Sequence, residues 1–300
     1  MSRSGPGVHE HSGALGLAPV LLPTAGLVAA FVLAVVYAYI CVYSPVAGYI
    51  SLLFVLGFAL GLAVVVATLA KLGKCRNRGF LALSGLGLGL FALYCSWAVF
   101  VYALLGKMDL VADEVTMVDS LLAPGSTWEV MKSLAVEGWY SVFGFTPSGF
   151  VLWLFWAIEA FLIVVIPALT GLGAISDEVF CEPCRCWCDR MKGTVRLAPP
   201  EAEGFIESLT PENLRPLTQL APVPETATPQ LRVDTWRCGE CSDTAAVRLV
   251  SCTTEADEDG KVEEKDDELT PIWTVAPSTL DTLALHAQTP PQPMPMAPPA

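Results

Sequence analysis

Residues 20–43 read VLLPTAGLVAAFVLAVVYAYICVY, twenty-four positions without a charge. The hydrocarbon core of a bilayer takes about 20 helical residues to cross. A run this long and this apolar reads as a membrane span rather than as the buried helix of a soluble domain. Pro23 and Gly26 fall in its first turns, where a helix tolerates them. Three runs of the same kind follow at 46–70, 80–106 and 150–173. Ser44-Pro45 supplies a tight turn between the first two.

Charge sharpens this reading. Of the 300 residues 53% are hydrophobic and only 16% charged, against about a quarter charged in soluble domains. Between Val20 and Leu105 the only charges are Lys71, Lys74, Arg76 and Arg78. These four form a compact loop between the second and third runs, and short basic loops stay in the cytoplasm. Span parity then puts both termini in the cytoplasm and the acidic segment 107–149 on the far side. Arg185, Arg190, Lys192 and Arg196, after the fourth run, agree. Within 107–149, Thr127 to Val142 carries Trp128, Met131, Leu134 and Ala135 at helical spacing, stopped by Gly138. This reads as a helix on the membrane surface, with Trp139 and Tyr140 at the interface, or as a helix packed on the bundle.

The expected architecture is an all-α transmembrane bundle of four helices (20–173) with a small cytoplasmic, zinc-ribbon-like β tail. Residues 1–19 are expected to be a disordered N-terminus, with no cleavable signal sequence. Residues 174–198 hold a first cysteine knuckle, 199–230 a Pro-rich linker, and 231–276 a second knuckle with a β-hairpin. In that hairpin Ala245–Val250 pairs with Ile272–Val275 across a turn at Asp257–Gly260. Residues 277–300 are expected to be disordered. The tail from Ala174 onward holds 22 of the chain's 30 acids and 10 of its 17 bases. Its acidity excludes nucleic acid, which needs basic surface to displace counterions.

Cysteines carry the strongest chemical signal. Cys181-Glu-Pro-Cys184 and Cys238-Gly-Glu-Cys241 are two C-x2-C pairs. That spacing lets two thiolates converge on one ion, and two pairs complete a tetrahedral zinc site. A reducing cytoplasm argues against disulfides there. The 53 residues between the pairs exceed the 15–20 of a simple ribbon, so the ribbon is expected to be split by the Pro-rich linker. The tail's core reads as too small to fold alone, with metal supplying the missing stability. Cys186 and Cys188 leave two alternatives open, a local four-thiolate set with Cys181 and Cys184, or redox-active thiols. Cys41 and Cys95 read as packing residues inside spans; Cys75 and Cys252 have no evident partner.

Glu159 is the lone acid of the fourth run. An intramembrane acid is a functional candidate, but no second acid or His in the other runs makes a relay. An interhelical hydrogen bond to Ser51, Ser84, Ser96 or a Tyr hydroxyl is the plainer reading. Gly57/Gly61 and Gly85/Gly89 are small-residue steps that permit close helix approach. No catalytic signature appears, and Asp109, Asp113, Glu114 and Asp119 read as a solvated charge run.

The chain resembles a group of uncharacterised bacterial four-span membrane proteins. The resemblance rests on Tyr37-Ala-Tyr39 with Ser44-Pro45, on Ala70-Lys-Leu-Gly-Lys-Cys-Arg-Asn77, on Leu152-Trp-Leu-Phe-Trp-Ala-Ile-Glu159, and on Phe180-Cys-Glu-Pro-Cys-Arg-Cys-Trp-Cys188. It covers about residues 20–190 and the Cys238/Cys241 pair. It implies a bundle in the bacterial cytoplasmic (inner) membrane with a cytoplasmic C-x2-C tail. The chain departs from the expected pattern at Arg185 and Cys186. The leading expectation is a non-enzymatic membrane protein that anchors a cytoplasmic zinc-binding interaction or sensing module. Its expected partners are the bilayer and a cytoplasmic protein or a second copy. The alternative is a small transporter or channel using Glu159.

Overall fold

A computed structural model describes residues 6–44, 47–109, 116–138, 146–256 and 262–288. The chain divides into two compact units, Ser12–Ser176 and Met1–His11 with Asp177–Ala300.

The first unit contains four helices long and apolar enough to cross a membrane, at Ala18–Tyr43, Ser51–Leu72, Arg78–Lys107 and Gly149–Gly173. The first begins as α1 (Ala18–Leu21), passes through a π-helical turn at Leu22–Gly26 containing Pro23, and continues as α2 (Leu27–Tyr43). The others are α3 (Ala47–Leu72), α4 (Arg78–Lys107) and α7 (Gly149–Gly173). Helix α2 divides its residues between two faces by size. Its buried stripe is Ala30, Ala34, Ala38 and Val42, while Val28, Val32, Val36 and Ile40 one face away are exposed. A water-facing helix has the opposite distribution, with polar residues outward. Small residues inside and branched apolar residues outside is the pattern of helices that pack by close approach within an apolar solvent.

Helix α4 packs against α2 on one side and α7 on the other. At the α4–α7 seam an added Cβ on Gly85 would lie 2.3 Å from the Pro167 carbonyl oxygen, and one on Gly89 2.8 Å from that of Ile163. Gly171 answers from α7, where a Cβ would meet the Leu81 carbonyl oxygen at 2.4 Å. Pro167 lies inside α7, on this seam. Having no N–H, it leaves the Ile163 carbonyl without its usual helical donor. Gly57, by contrast, has open space around it, so that half of the Gly57/Gly61 step is not a contact. Gly85→Val is expected to destabilise the bundle by about 1–3 kcal/mol or more, because the overlap is with backbone and only helix separation relieves it. Thermal unfolding in detergent reads this, and an unchanged midpoint contradicts it.

Short helix α5 (Met117–Leu121) and α6 (Pro124–Glu137) connect α4 to α7. A capping box between Thr116 and Asp119 starts α5, and Gly138 at φ 74° ends α6. Ala135 with Met131 and Leu134 packs on Leu152 and Trp156 of α7, so α6 rests on the bundle. Trp139 and Tyr140 lie outside the described residues. The basic loop is tied to the chain's own N-terminal segment, with Leu17 N bonded to Gly73 O and Arg76 N to Ala14 O, both at 2.7 Å. Gly16 (φ 56°) has room for no side chain against the Gly73 carbonyl.

The second unit is an antiparallel sheet in the order β1-β8-β6-β5-β4, with β7 also paired to β6. Its strands are β1 (Gly7–Val8), β4 (Asp189–Leu197), β5 (Gln230–Arg237), β6 (Ala245–Ala256), β7 (Val262–Glu268) and β8 (Trp273–Val275). A separate two-stranded ribbon joins β2 (Phe180–Cys181) to β3 (Cys186–Trp187). Alternation along the strands makes two different faces. Leu231 and Val233 of β5 with Ala245, Val247 and Leu249 of β6 enter one apolar core. Arg232, Asp234, Trp236, Ala246 and Arg248, at the intervening positions, take the other face.

Here the structure departs from the sequence reading in three places. Residues 6–11 are not free, because β1 pairs with β8 and His9 N bonds Ile272 O at 2.8 Å. The 199–230 stretch is more than a linker. It buries Leu209, Leu214 and Leu217 in the sheet core, with a 3-10 turn at Arg215–Gln219. Residues 277–288 form helix α8, whose Leu280 and Leu283 enter the same core. The physical reason is common to the last two. The sheet's apolar face needs a cover, and these segments supply scattered leucines too sparse to register as periodicity. β8 pairs with β6 at Ala245–Val247, but the intervening β7, too acidic to read as a strand, pairs with the rest of β6. The Asp257–Gly260 turn lies outside the described residues, as do 289–300.

Candidate metal centre

Cys181 closes β2, Cys184 follows in the turn, and Cys186 opens β3 opposite Cys181. Cys238 and Cys241 sit in the loop between β5 and β6. The two loops have the same local form. The residue after each second cysteine, Arg185 (φ 54°) and Ser242 (φ 56°), is left-handed. Arg185 thus holds the conformation for which glycine is the easier choice, and the turn forms without one. In the second loop Ser242 N bonds Cys238 O and Cys238 N bonds Thr244 O, both at 3.0 Å.

The Sγ atoms of Cys181, Cys184, Cys238 and Cys241 all lie within 4.8 Å of one another. Zn–S bonds of about 2.3 Å in a tetrahedron put sulfurs about 3.8 Å apart. The Cys181–Cys241 pair, at 3.7 Å, already has that separation. The split of 53 residues does not prevent convergence, because β4 and β5 pair directly and bring both loops to one end of the sheet. Cys181 and Cys238 are fully buried and Cys184 and Cys241 partly so. The four-thiol set closes without Cys186 or Cys188. Cys186 nevertheless reaches Cys238, Sγ to Sγ 3.6 Å, and Cys188 is buried in the same cluster.

Electrostatics prepare one thiolate. Burial works to raise the Cys238 pKa, but N–H groups of Cys241 and Glu240 and the thiols of Cys181 and Cys186 donate to it and together bring it down to about 6. Burial raises Cys181, despite a hydrogen bond from the Thr244 hydroxyl at 3.2 Å. Cys184 is raised chiefly by its thiol bond to Cys241. Burial pushes Cys186 up to about 11 and Cys188 to about 12. One thiolate thus accepts from neutral thiols, and a divalent cation would displace their protons. Thr244 carried no sequence signal, being one of many threonines in a polar tail.

The centre has neighbours that sequence reading missed. The His9 and His11 rings are 4.9 Å apart, and His11 sits edge-on to Trp187 of β3 at 6.4 Å. Burial, with help from His11 and against Glu182, lowers His9 from 6.5 to about 4. The docked state therefore favours the neutral ring. Docking of β1 is fully favoured above pH 6.5 and is weakened as pH falls toward 4. The His9 amide is expected to lose exchange protection at about pH 5 relative to neutral pH, and His9→Asn to remove that dependence. Equal protection at both values contradicts this.

Cys252 accepts from Arg232 Nη1 at 3.4 Å, and Cys75 is buried with its thiol toward Asn77 O. Glu159 is in α7, within electrostatic reach of Tyr37 and Cys41 of α2, which hydrogen-bond one another. Its neighbourhood includes a Tyr hydroxyl; of the serines, Ser96 bonds Leu93 O of its own helix. Comparison with family models, with curated proteins and with solved structures gives no match in any of the three.

Proposed function

We propose that this chain is a four-span protein of the bacterial cytoplasmic membrane whose bundle anchors a cytoplasmic zinc-binding module used for interaction or sensing. The convergence of two cysteine loops from distant sequence into one four-thiol cluster carries the reading. Four thiols of this spacing suit a structural zinc ion, which would be held by Cys181, Cys184, Cys238 and Cys241 and would leave no open position for catalysis. The lipid-facing character of α2 supports insertion. The pairing of β1 with β8 supports the topology independently of charge. It joins residues ahead of the first span to residues behind the last, which requires both on one side and an even number of spans. The basic loop supports the cytoplasm as that side. The partner is a cytoplasmic protein or a second copy of the chain.

Cobalt(II) titration of the full chain in detergent tests this. A visible spectrum of tetrahedral thiolate coordination supports the reading, and a spectrum of oxygen-rich octahedral coordination, or none, overturns it. A second reading, a small transporter or channel through Glu159, is favoured by one observation, the grouping of Glu159 with Tyr37 and Cys41. It predicts flux abolished by Glu159→Gln and indifferent to Cys184→Ser.

A further inference from the structure

We infer that Thr244 is a positioning residue of the metal centre, holding the Cys181 sulfur through its side-chain hydroxyl. The inference rests on the zinc reading and deepens it. The Thr244 hydroxyl donates to Cys181 Sγ at 3.2 Å. The sulfurs have other donors, but these are main-chain groups close by in sequence. Cys181 accepts from the Cys184 N–H, Cys238 from those of Glu240 and Cys241, and Cys241 from that of Asp243 at 3.4 Å. Each of these acts within its own loop. The Thr244 bond crosses from the second loop to the first, over 63 residues of sequence.

A crossing bond matters because the centre is assembled from two loops. The Cys181–Cys241 contact at 3.7 Å also crosses, but it runs through a thiol proton, and metal binding displaces such protons. The hydroxyl keeps its proton, so its bond persists when the centre fills. It also strengthens, because a metal-held sulfur is a thiolate and a charged acceptor makes a hydrogen bond about twice as strong as a neutral one. Four thiolates outweigh one divalent ion, so the buried site carries excess negative charge that donors must offset. Thr244 is well fixed for this. Its carbonyl accepts from Cys238 N at 3.0 Å, and the next residue, Ala245, opens β6 in register with both Arg237 and Val275.

The test titrates cobalt(II) into the full chain in detergent, against a competing chelator. It compares the wild type with Thr244→Val, which keeps the size and branching and removes the hydroxyl, and with Thr244→Ser, which keeps the hydroxyl. Ser242→Ala, at an exposed position of the same loop, is the control. Thr244→Val is expected to bind about 10–100-fold more weakly. Its sulfur-to-cobalt charge-transfer band is expected to move to lower energy, since a thiolate that loses a hydrogen bond gives up charge more readily. Thr244→Ser and Ser242→Ala are expected to match the wild type in both, and metal-free Thr244→Val to keep the amide protection of residues 247–249. Unchanged affinity and band in Thr244→Val overturn the inference and leave the zinc reading standing. A Thr244→Ser that behaves like Thr244→Val also overturns it, by assigning the effect to packing. Lost protection at 247–249 does the same, by making Thr244 a structural residue of the sheet. A wild type that takes up no cobalt overturns the zinc reading, and this inference with it.

Discussion

Asp234→Ala is expected to destabilise the sheet unit by about 3–5 kcal/mol, the cost of leaving buried charge without its counter-charge. Asp234 is fully buried on the face of β5 opposite the leucine core. It accepts from Arg190 Nη2 at 3.1 Å, Arg232 Nε at 3.0 Å and Gly193 N at 3.2 Å, and Arg248 Nη2 stands 4.0 Å away. Arg190 and Arg248 also lie over Trp236, 5.0 and 5.5 Å from its ring, while the Trp236 Nε1–H donates to Asp177 O. One carboxylate thus holds three guanidinium groups and, through them, an indole. Asp177 and Glu268 share Arg248, but both are half exposed and well placed to be solvated. Asp234→Asn keeps an acceptor and should lose less. Amide exchange along β5 and β6 measures the effect, and a loss below about 1 kcal/mol would show that the outer acids suffice.

If the four thiols hold a zinc ion as proposed, its removal is expected to act locally. Structural zinc is worth roughly 10 kcal/mol or more in small domains that have little else, and the sequence suggested such a domain. The folded tail has a leucine and valine core of its own, closed by Leu209, Leu214, Leu217, Leu280 and Leu283. None of the cysteines belongs to it. A strong chelator should therefore raise amide exchange on the order of a thousandfold in the two cysteine loops, 179–188 and 238–244, and leave residues 231–235 and 247–249 protected. Collapse of the whole sheet would restore the metal-dependent picture. No change at all would show that the thiol cluster is stable as a packed apolar group.

What could be read in advance follows from the size of each signal. The four apolar helices declared themselves because each uses twenty or more residues in one pattern. The cysteine set declared itself because C-x2-C has a geometric meaning that survives an insertion of any length. The sheet's cover did not. Leu214 and Leu217 sit among prolines, and Leu280 and Leu283 in a segment whose only other large apolar residue, Leu285, is exposed. Burial there is decided by the face they meet rather than by their neighbours in sequence. β1 is two residues long and is a strand only because β8 offers an edge. Asp234 and its arginines alternate with Leu231 and Val233, and nothing in that alternation marks the charged positions as buried. In the structure Asp234, Trp236 and Arg248 on that face are buried.

The zinc content of the purified full chain in detergent, set beside a Cys238→Ser/Cys241→Ser double variant, tests the central claim most directly. The account predicts one zinc per chain, lost in the variant. Zinc retained in the variant would place the ion among Cys181, Cys184, Cys186 and Cys188 and contradict the joining of the two loops, and a wild type without zinc would contradict the metal centre itself.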